Sequence, residues 1–357
     1  MPPLRVAVIG TGAFGRNHLR VYRELELAHP ELVQLAALVE PDAARSTTFA
    51  ATYNIPAFAT LTELLAANLS LGAASVCVPT IHHAAVAEQL LLAGLDLLIE
   101  KPFAATLAQA DHILDLACTH QRIVAIGHLE RFNPAVTAAI AALNRPMFFE
   151  SHRLSIFTPR SLDVDVVLDL MIHDIDIVLS LTQSPVREVR AVGLPILSRK
   201  TDIANVRVEF DSGCVANFTA SRVSTEQVRK LRLFQPHQYL SLDFARQELL
   251  TISVDPTVVA AAMAATAAAG SSPTPAPTAT AATPHTMPTA HPTAGLSLTK
   301  ADIPKGEPLR LELEDFLHAV RNRTQPRVPA AAGRAALSLA LTINEQIATH
   351  AHRAGLL

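Results

Sequence analysis

Short apolar runs alternate with helical repeats along the first third of the chain, and this alternation predicts a parallel sheet with crossover helices. Beyond Gly127 the pattern changes, because β-rich segments follow one another with a hairpin turn at 211–213 between two of them. Consecutive strands joined in this way favour an antiparallel or mixed sheet. The sequence therefore predicts an α/β fold, with a doubly wound parallel sheet in residues 1–127 and an α+β domain with an open, largely antiparallel sheet in residues 128–357.

One segment departs from both patterns. Residues 256–304 consist almost entirely of Ala, Thr, Pro, Ser and Gly, with few branched or aromatic side chains to bury. A segment of this composition cannot offset the entropy lost on folding, so we expect a disordered insertion, with a docking tether as the alternative. Helical repeats return at 307–321 and 333–352.

The segment 165–180 predicts a helix that is apolar on nearly every side, which is typical of a helix buried in a large domain. It is too short and too charged to span a membrane. Because buried carboxylates are costly without partners, we expect its polar residues to line a cleft, with Asp169 orienting His173. Asp174 lies away from them, and we assign it no catalytic role. The polar residues recur at helical spacing and form one stripe, made of Asp165, Asp169, His173, Asp176 and Ser180.

The 357-residue chain carries a net charge of −3 and no sustained basic run, which argues against nucleic acid and anionic membranes as partners. Its three cysteines, Cys77, Cys118 and Cys214, show no C-x-x-C spacing, as expected for free thiols in a reducing compartment. We find no secretory signal pattern at the N-terminus and no uncharged segment of transmembrane length. We therefore expect a cytoplasmic protein.

A glycine-rich turn with the pattern G-x-G-x-x-G follows the first strand and opens the first helix. The first glycine permits a tight turn, the second lets a pyrophosphate approach the backbone, and the third allows close helix–strand packing. Glu40 ends the second strand, where a carboxylate accepts both ribose hydroxyls, so NAD is favoured over NADP. Arg45 lies close enough in the sequence that NADP remains a possible cofactor. The residues predicted to bind the dinucleotide here are Gly10, Gly12, Ala13, Phe14, Gly15 and Glu40.

Two further motifs end strands on the carboxyl edge of the predicted sheet, where open α/β folds bind their ligands. Pro79 and Thr80 end one strand, and the dipeptide Glu100-Lys101, followed by proline, ends the next. We expect all four residues to contact the cofactor and Glu100 to hold the Lys101 ammonium. His83 begins the helix after Thr80, and either cofactor contact or a packing role fits its position.

Together these motifs resemble the Gfo/Idh/MocA family of NAD(P)-dependent oxidoreductases, which act mostly on sugars, cyclitols and nucleotide sugars. The matching segments are GTGAFG, PTIHH, AGLDLLIEKP and the D-x-x-x-H of LDLMIHDID, and the resemblance covers the chain outside 256–304. It implies a Rossmann domain followed by an open-sheet domain, NAD as cofactor, and assembly into a homodimer or homotetramer through the sheets. It also implies catalytic roles for Lys101, Asp169 and His173.

In the chemistry that this resemblance implies, a secondary alcohol loses a hydride to nicotinamide and a proton to the enzyme. His173 is the natural base, because the intrinsic pKa of an imidazole lies near neutral, and Asp169 would stabilise its protonated form. Lys101 would stabilise charge that develops on the alkoxide. Whether Lys101 or His173 takes the proton is left open by the sequence.

A finer resemblance is to a subgroup of bacterial UDP-N-acetylglucosamine 3-dehydrogenases, which feed the synthesis of lipid A. It rests on GHLERFNPA, PRSLDVDVVLDLMIHDIDIV, ANFTASRVS and RKLRLF. It implies oxidation of the 3-hydroxyl of that nucleotide sugar. A structural role fits the polar residues of these segments as well as substrate binding does. The substrate candidates are His128, Arg131, Asn133, Arg160 and Arg222.

Three alternatives were weighed against this hypothesis. A dehydrogenase of free sugars or cyclitols would carry the same core motifs, and a non-catalytic NAD-binding regulatory protein would share the fold. The regulatory hypothesis predicts the loss of a catalytic residue, yet all three are present. A metal site formed by Asp169, His173, His82 and His83 lacks a further ligand at convincing spacing, so no metal is expected.

Overall fold

The computed structural model describes residues 2–157, 164–258, 260–261, 264 and 295–355. Its first domain contains a six-stranded parallel sheet in the order β3-β2-β1-β4-β5-β6, which is the doubly wound arrangement. Hydrophobic clusters cover both faces, so most strand residues are buried. The strands are β1 (Leu4–Ile9), β2 (Val33–Val39), β3 (Ala57–Phe58), β4 (Ala73–Val76), β5 (Asp96–Glu100) and β6 (Val124–Gly127).

Five helices follow β1 to β5 in turn. Thr60 and Thr106 cap two of them, each accepting a hydrogen bond from the backbone N–H three residues later. Because all the strands are parallel, their carboxyl ends meet at one edge, and the predicted ligand motifs lie in the loops there. The helices are α1 (Gly15–Ala28), α2 (Ala43–Tyr53), α3 (Leu61–Ala66), α4 (His83–Leu92) and α5 (Leu107–Thr119).

The second domain is organised around an eight-stranded sheet in the order β14-β13-β12-β11-β7-β10-β9-β8. Strands β7 and β10 pair in parallel, and all other neighbours are antiparallel. The predicted α/β fold with a second, largely antiparallel sheet is therefore confirmed. The strands are β7 (Phe148–Ile156), β8 (Val186–Leu194), β9 (Ile203–Phe210), β10 (Val215–Ser224), β11 (Val228–Gln235), β12 (Gln238–Asp243), β13 (Glu248–Val254) and β14 (Leu296–Lys300).

The segment predicted as a central helix is not one regular helix. It begins with a π-helical turn (Val167–Met171) and continues as α7 (Ile172–Thr182). Asp165 starts the turn, because its carboxylate accepts hydrogen bonds from the N–H groups of Val167 (3.0 Å) and Leu168 (2.9 Å). Turns of this kind are rare and frequently lie at functional sites.

Three other helices complete the second half of the chain, namely α6 (Pro134–Ala141), α8 (Pro308–Asn322) and α9 (Ala330–Arg353). Helix α9 packs against β8 and α7, within the second domain. Helix α8 instead packs beside α1, where its apolar face joins the core formed by β1, although the predicted boundary placed it in the second domain. None of the helices in the described part of the chain has the length and apolar character needed to cross a bilayer.

The expectation of disorder over 256–304 is wrong at its C-terminal end. Leu296–Lys300 forms β14, which pairs antiparallel with β13 from Val254 to Leu250. The alternating sequence LSLTK fits a strand, and the unpaired backbone groups of an edge strand such as β13 are a template for it. Residues 259, 262–263 and 265–294 lie outside the described residues.

Candidate active site

The glycine-rich turn between β1 and α1 leaves room for a phosphate. Gly10 adopts a φ of +86°, and a Cβ there would lie 3.0 Å from the backbone of Cys77. A Cβ on Gly15 would lie 1.9 Å from the Gly10 carbonyl oxygen, so only glycine lets α1 begin this close to the strand. A Cβ on Gly12 would meet nothing within 4 Å. This open space at the N-terminus of α1 fits a dinucleotide pyrophosphate. The other predicted residues of the turn are Ala13, which is exposed, and Phe14, which is half-buried.

Glu40 lies directly after β2, beside this turn. Its carboxylate accepts hydrogen bonds from the Thr11 N–H (3.1 Å), the Thr11 hydroxyl (2.7 Å) and the Arg45 guanidinium (2.8 Å). Burial alone would raise the pKa of Glu40, but the hydrogen bonds from Arg45, the Asp42 N–H and Thr11 outweigh it and hold the pKa at about 2. An ionised acceptor at this place fits the two ribose hydroxyls of NAD. Arg45, whose position in the sequence left NADP possible as the cofactor, is paired with the Glu40 carboxylate.

The loop after β4 brings Pro79 and Thr80 to the same edge, with Pro79 exposed and Thr80 half-buried. His83 behind them is buried. Its Nδ1 lies 2.9 Å from the Pro102 carbonyl oxygen, and its Nε2 lies 2.9 Å from that of Val78. Burial lowers the pKa of His83, so the ring is neutral and only one of its nitrogens donates to the carbonyl oxygen beside it. The buried ring fits the packing role, and cofactor contact by His83 stays a prediction.

Glu100 ends β5 with a buried carboxylate. It is hydrogen-bonded to His18 Nε2 on α1 (2.9 Å) and accepts a bond from the Lys101 N–H (3.3 Å). A Cβ on Gly127 would lie 2.9 Å from this carboxylate, so the glycine at the end of β6 makes room for it. The prediction that Glu100 holds the Lys101 ammonium is wrong, because its side chain ties β5 to α1. This buried carboxylate supports the loop after β5, and a contact between Glu100 and the cofactor stays a prediction.

Lys101 extends from the first domain to the π-helical turn. Its ammonium donates to the Asp169 carbonyl oxygen (2.7 Å) and lies 3.5 Å from Asp169 Oδ1. The Asp169 side chain is 28% exposed, so this contact borders open space. The structure therefore brings together two of the residues for which the resemblance implied catalytic roles. The Asp169 carboxylate meets Lys101 rather than His173, whose Nδ1 has no hydrogen-bond partner among the described residues.

His128 follows β6 and packs edge-to-face against His173, with ring centroids 6.2 Å apart and an interplanar angle of 89°. Burial lowers the pKa of His128 to about 3, and the charges of Lys101 and Arg131 add to the effect. Burial, followed by Lys101 and Arg153, also lowers the pKa of His173 well below its usual value. Both rings are therefore neutral near pH 7, and His173 keeps a lone pair that can accept a proton. Both nitrogens of His128 are buried, and neither has a hydrogen-bond partner within the described chain.

A buried charge cluster supports these residues from the second sheet. Arg153 on β7 donates to both carboxylate oxygens of Asp174 (2.7 and 3.0 Å) and to Glu130 (3.1 Å). The sequence analysis missed Arg153 and Glu130. The signal was present, because the alternation along β7 places Arg153 on the inner face with Phe149 and Ser151. Asp174 thus has a structural partner, in keeping with its position off the polar stripe.

Two predicted substrate residues have structural contacts instead. Asn133 caps α6 by accepting a hydrogen bond from the Ala135 N–H (3.1 Å), and its amide donates to Glu130 (3.1 Å) and to the Phe244 carbonyl oxygen (3.0 Å). These contacts and the burial of its side chain fit a structural role, and substrate binding by Asn133 stays a prediction. Arg222 is buried as well, with its guanidinium 3.6 Å from the Asp202 carboxylate. Arg160 lies outside the described residues.

Arg131 lies beside α7, with its guanidinium 3.7 Å from Asp176 Oδ1. Burial raises the pKa of Asp176 to about 7, although the charge of Arg131 works in the opposite direction. Among the described residues, no group of three or more His, Cys, Asp or Glu side chains is placed to hold a metal ion. Three successive contacts, which we term the polar ladder, thus run along the helix: Lys101 with Asp169, His128 with His173, and Arg131 with Asp176.

Comparison with known proteins gives matches along nearly the whole chain. A UDP-N-acetylglucosamine 3-dehydrogenase of Acidithiobacillus ferrooxidans is 34% identical over 341 residues, which cover 95% of this chain and 96% of that enzyme. A solved structure of the enzyme from that organism has a TM-score of 0.81 at 32% identity, covering 97% of this chain and 98% of the other. An inositol 2-dehydrogenase of Leifsonia xyli is 31% identical over 196 residues, or 53% of this chain and 56% of the relative.

Family models match both domains. Residues 4–128 match the oxidoreductase family with an NAD-binding Rossmann fold, and residues 136–235 match the Gfo/Idh/MocA C-terminal domain. The two matches occur in the order in which the structure places the two sheets. Together with the full-length relative, they show that the chain belongs to the Gfo/Idh/MocA family of NAD-binding oxidoreductases.

Proposed function

We propose that this enzyme oxidises the 3-hydroxyl of UDP-N-acetylglucosamine to a ketone with NAD. The observation that carries the proposal is the contact between Lys101 and Asp169, beside a neutral His173 at the carboxyl edge of the NAD-binding sheet. The choice of substrate is supported by the 34% identity to a UDP-N-acetylglucosamine 3-dehydrogenase over 95% of the chain. Because one fold serves many substrates, the substrate needs a direct test.

Bound NAD supplies an acceptor for the hydride of the alcohol carbon. The turn 10–15 and the N-terminus of α1 would hold its pyrophosphate, and Glu40 would accept its ribose hydroxyls. Glu40 would repel a 2′-phosphate, so we expect NAD to be preferred to NADP. The protein residues then have three tasks, which are to bind the sugar, to stabilise charge on its reacting oxygen, and to remove a proton.

Lys101 stabilises the charge on the reacting oxygen, and His173 removes the proton. The Lys101 ammonium, held at Asp169, donates a hydrogen bond to the reacting oxygen and stabilises alkoxide charge in a partly buried site. His173 is neutral and accepts the hydroxyl proton. His128, packed against that ring with both nitrogens unpartnered within the described chain, is placed to hydrogen-bond the sugar.

The test is NADH formation by the purified enzyme. We expect turnover with UDP-N-acetylglucosamine and none with myo-inositol. Myo-inositol is included because inositol 2-dehydrogenases are among the relatives. Lys101→Met and His173→Ala should each lower kcat by roughly 100-fold or more and leave NAD affinity unchanged in a fluorescence titration. Unchanged turnover in either variant would contradict the role given to that residue. If no polyol or nucleotide sugar reduces NAD, a non-catalytic NAD-binding role takes first place.

The outer face of the second sheet supports a proposal of self-association. Phe148, Phe234 and Tyr239 lie opposite one another on neighbouring strands, with ring centroids 5.5 and 4.9 Å apart. Phe234 is exposed in the single chain. We expect a homodimer or homotetramer that buries this cluster, and light scattering should show a smaller species for Phe234→Asp.

We further propose that the enzyme works in the cytoplasm, in the supply of amino sugars for lipid A. The free thiols of Cys77, Cys118 and Cys214 are in keeping with a reducing compartment. The ketone product would be a substrate for an aminotransferase. A coupled assay with such an enzyme and an amino donor should therefore draw the oxidation forward, and an unchanged extent of NADH formation would contradict this placement.

A further inference from the structure

Oxidation of an alcohol releases a proton in every turnover, and that proton must leave a partly buried site. Two residues of the polar ladder each carry a buried atom without a partner. His173 Nδ1 and Asp176 Oδ2 are both buried without a hydrogen-bond partner in the described part of the chain. Residues three apart on an α-helix are neighbours on its surface, so these side chains are adjacent on α7. A buried carboxylate oxygen without a partner is costly, which indicates that Asp176 serves more than packing.

A pocket adjoins Asp176 one turn beyond His173. It has a volume of about 390 Å³, and its lining includes Asp176, Ser180, Gln183 and Gln325. Polar groups of this kind can hold ordered water in a pocket of this size. His173 does not line it. Asp176 therefore lines a pocket that the His173 ring, three residues earlier on the same helix, does not reach.

We propose that Asp176 receives the proton that His173 takes from the substrate hydroxyl and passes it to water in this pocket. The inference rests on the proposed function. The C–H bond of the alcohol carbon gives its two electrons and hydrogen to NAD as a hydride, and the O–H bond gives its proton to His173. The proton then moves to the Asp176 carboxylate, directly or through one water, and on to solvent. His173 and Asp176 return to their starting states, so the balance needs no other reactant.

The charged groups around Asp176 suit a residue that both gains and loses a proton. Arg131 faces it from the loop after β6, and Glu312 on α8 is near enough for its own pKa to be raised by the Asp176 charge. Arg327 lines the same pocket. Burial and Arg131 together leave the pKa of Asp176 at about 7, where a carboxyl group exchanges protons readily with both an imidazole and water.

The first test compares Asp176→Asn with Ser180→Ala, which alters the lining of the same pocket without removing an acid. We expect kcat of Asp176→Asn to fall at least about tenfold, with KM and NAD affinity unchanged, while Ser180→Ala keeps wild-type kinetics. Formate is small enough to enter the pocket and should restore the rate of Asp176→Asn in proportion to its concentration. A structural defect would not be rescued in this way. An unchanged kcat, or a loss that formate does not repair, would overturn the proposal.

A second variant tests the same idea without altering Asp176. Arg131→Gln removes the cation that lowers the pKa of Asp176, so that pKa should rise. Because Asp176 must be ionised to take a proton from His173, the rising limb of the kcat–pH profile should move to higher pH. A profile that coincides with that of the wild type would overturn the proposal even if Asp176→Asn did not fold.

A measurement without turnover separates this proposal from the proposed function. The wild-type infrared spectrum should contain a protonated-carboxyl band that titrates near neutral pH, and the band should be missing from Asp176→Asn. If no such band titrates there, Asp176 cannot carry the proton. If the band is present but the wild type makes no NADH from UDP-N-acetylglucosamine, the substrate assignment fails and the proton carrier stands.

Discussion

The buried carboxyl group of Asp176 makes the free energy of unfolding depend on pH. Its pKa is about 7 in the folded protein, against an ordinary value of 3.8. The folded state therefore binds this proton more tightly than the unfolded state does. The stability that the proton contributes is complete below pH 3.8 and is lost as pH rises from there through about 7. Asp176→Asn removes the titrating group, so its stability relative to the wild type should improve over the same range.

The size of the effect follows from linkage. Each unit of pH between the two pKa values changes the free energy of unfolding by about 1.4 kcal/mol. The interval from about pH 5 to about pH 7 thus corresponds to about 3 kcal/mol. A difference between two pH values is the useful quantity, because packing changes caused by the substitution are the same at both and cancel. Titration of groups that do not sense the Asp176 charge cancels to first order when the variant is subtracted from the wild type.

Urea unfolding of the NAD-free protein, measured at several pH values, provides the assay. The free-energy difference between Asp176→Asn and the wild type should shift by about 3 kcal/mol in favour of the variant between about pH 5 and about pH 8. The free energy of unfolding of Ser180→Ala should instead change with pH in the same way as that of the wild type. If the Asp176→Asn curve is also parallel, Asp176 is already ionised in the folded protein at low pH, and the argument from its burial is wrong.

Three further predictions concern other parts of the molecule. Gly15→Ala should abolish NAD binding in a fluorescence titration, because a Cβ there lies 1.9 Å from the Gly10 carbonyl oxygen, and normal affinity would refute the packing argument. Arg153→Met should lower the free energy of unfolding by roughly 3–5 kcal/mol in urea, since it leaves two buried carboxylates unpaired, and a change below about 1 kcal/mol would contradict this. Glu312→Gln should stabilise the protein increasingly as pH rises above 4.5, because burial raises the pKa of that carboxyl, and a gain independent of pH would exclude this cause.

Local patterns in the sequence were sufficient for much of the fold. The parallel sheet predicted for residues 1–127 is present in the structure, and the glycine-rich turn lies where the motif places it. Both depend on residues close together in the chain, whose spacing decides their conformation. The strand Leu296–Lys300 was missed for the opposite reason. It is short, it follows a long stretch of low-complexity sequence, and its pairing partner lies about 50 residues earlier.

Contacts between distant segments were harder to predict. The sequence placed Glu100 and Lys101 at the right edge of the sheet but gave Glu100 the wrong partner. Which side chain meets this carboxylate depends on how α1 crosses β5, and it is His18, 82 residues away. The cluster of Arg153 with Glu130 was missed in the same way, because its members lie on β7 and on the loop after β6. Spacing indicates which residues share a face, whereas packing decides what that face meets.

The polar stripe on the central helix shows how this difference between spacing and packing affects the proposed function. In a regular α-helix Asp169 would stack one turn below His173, as the sequence predicted. The π-helical turn at Val167–Met171 widens the helix at that point, and the Asp169 carboxylate lies beside Lys101 instead. From Ile172 onward the helix is regular, so the neighbouring carboxylate on the His173 face is Asp176. The two acids that spacing placed in one row therefore have different neighbours. Asp169 lies beside Lys101, which we propose to contact the substrate oxygen, and Asp176 lies one turn beyond His173, whose proton we propose it receives.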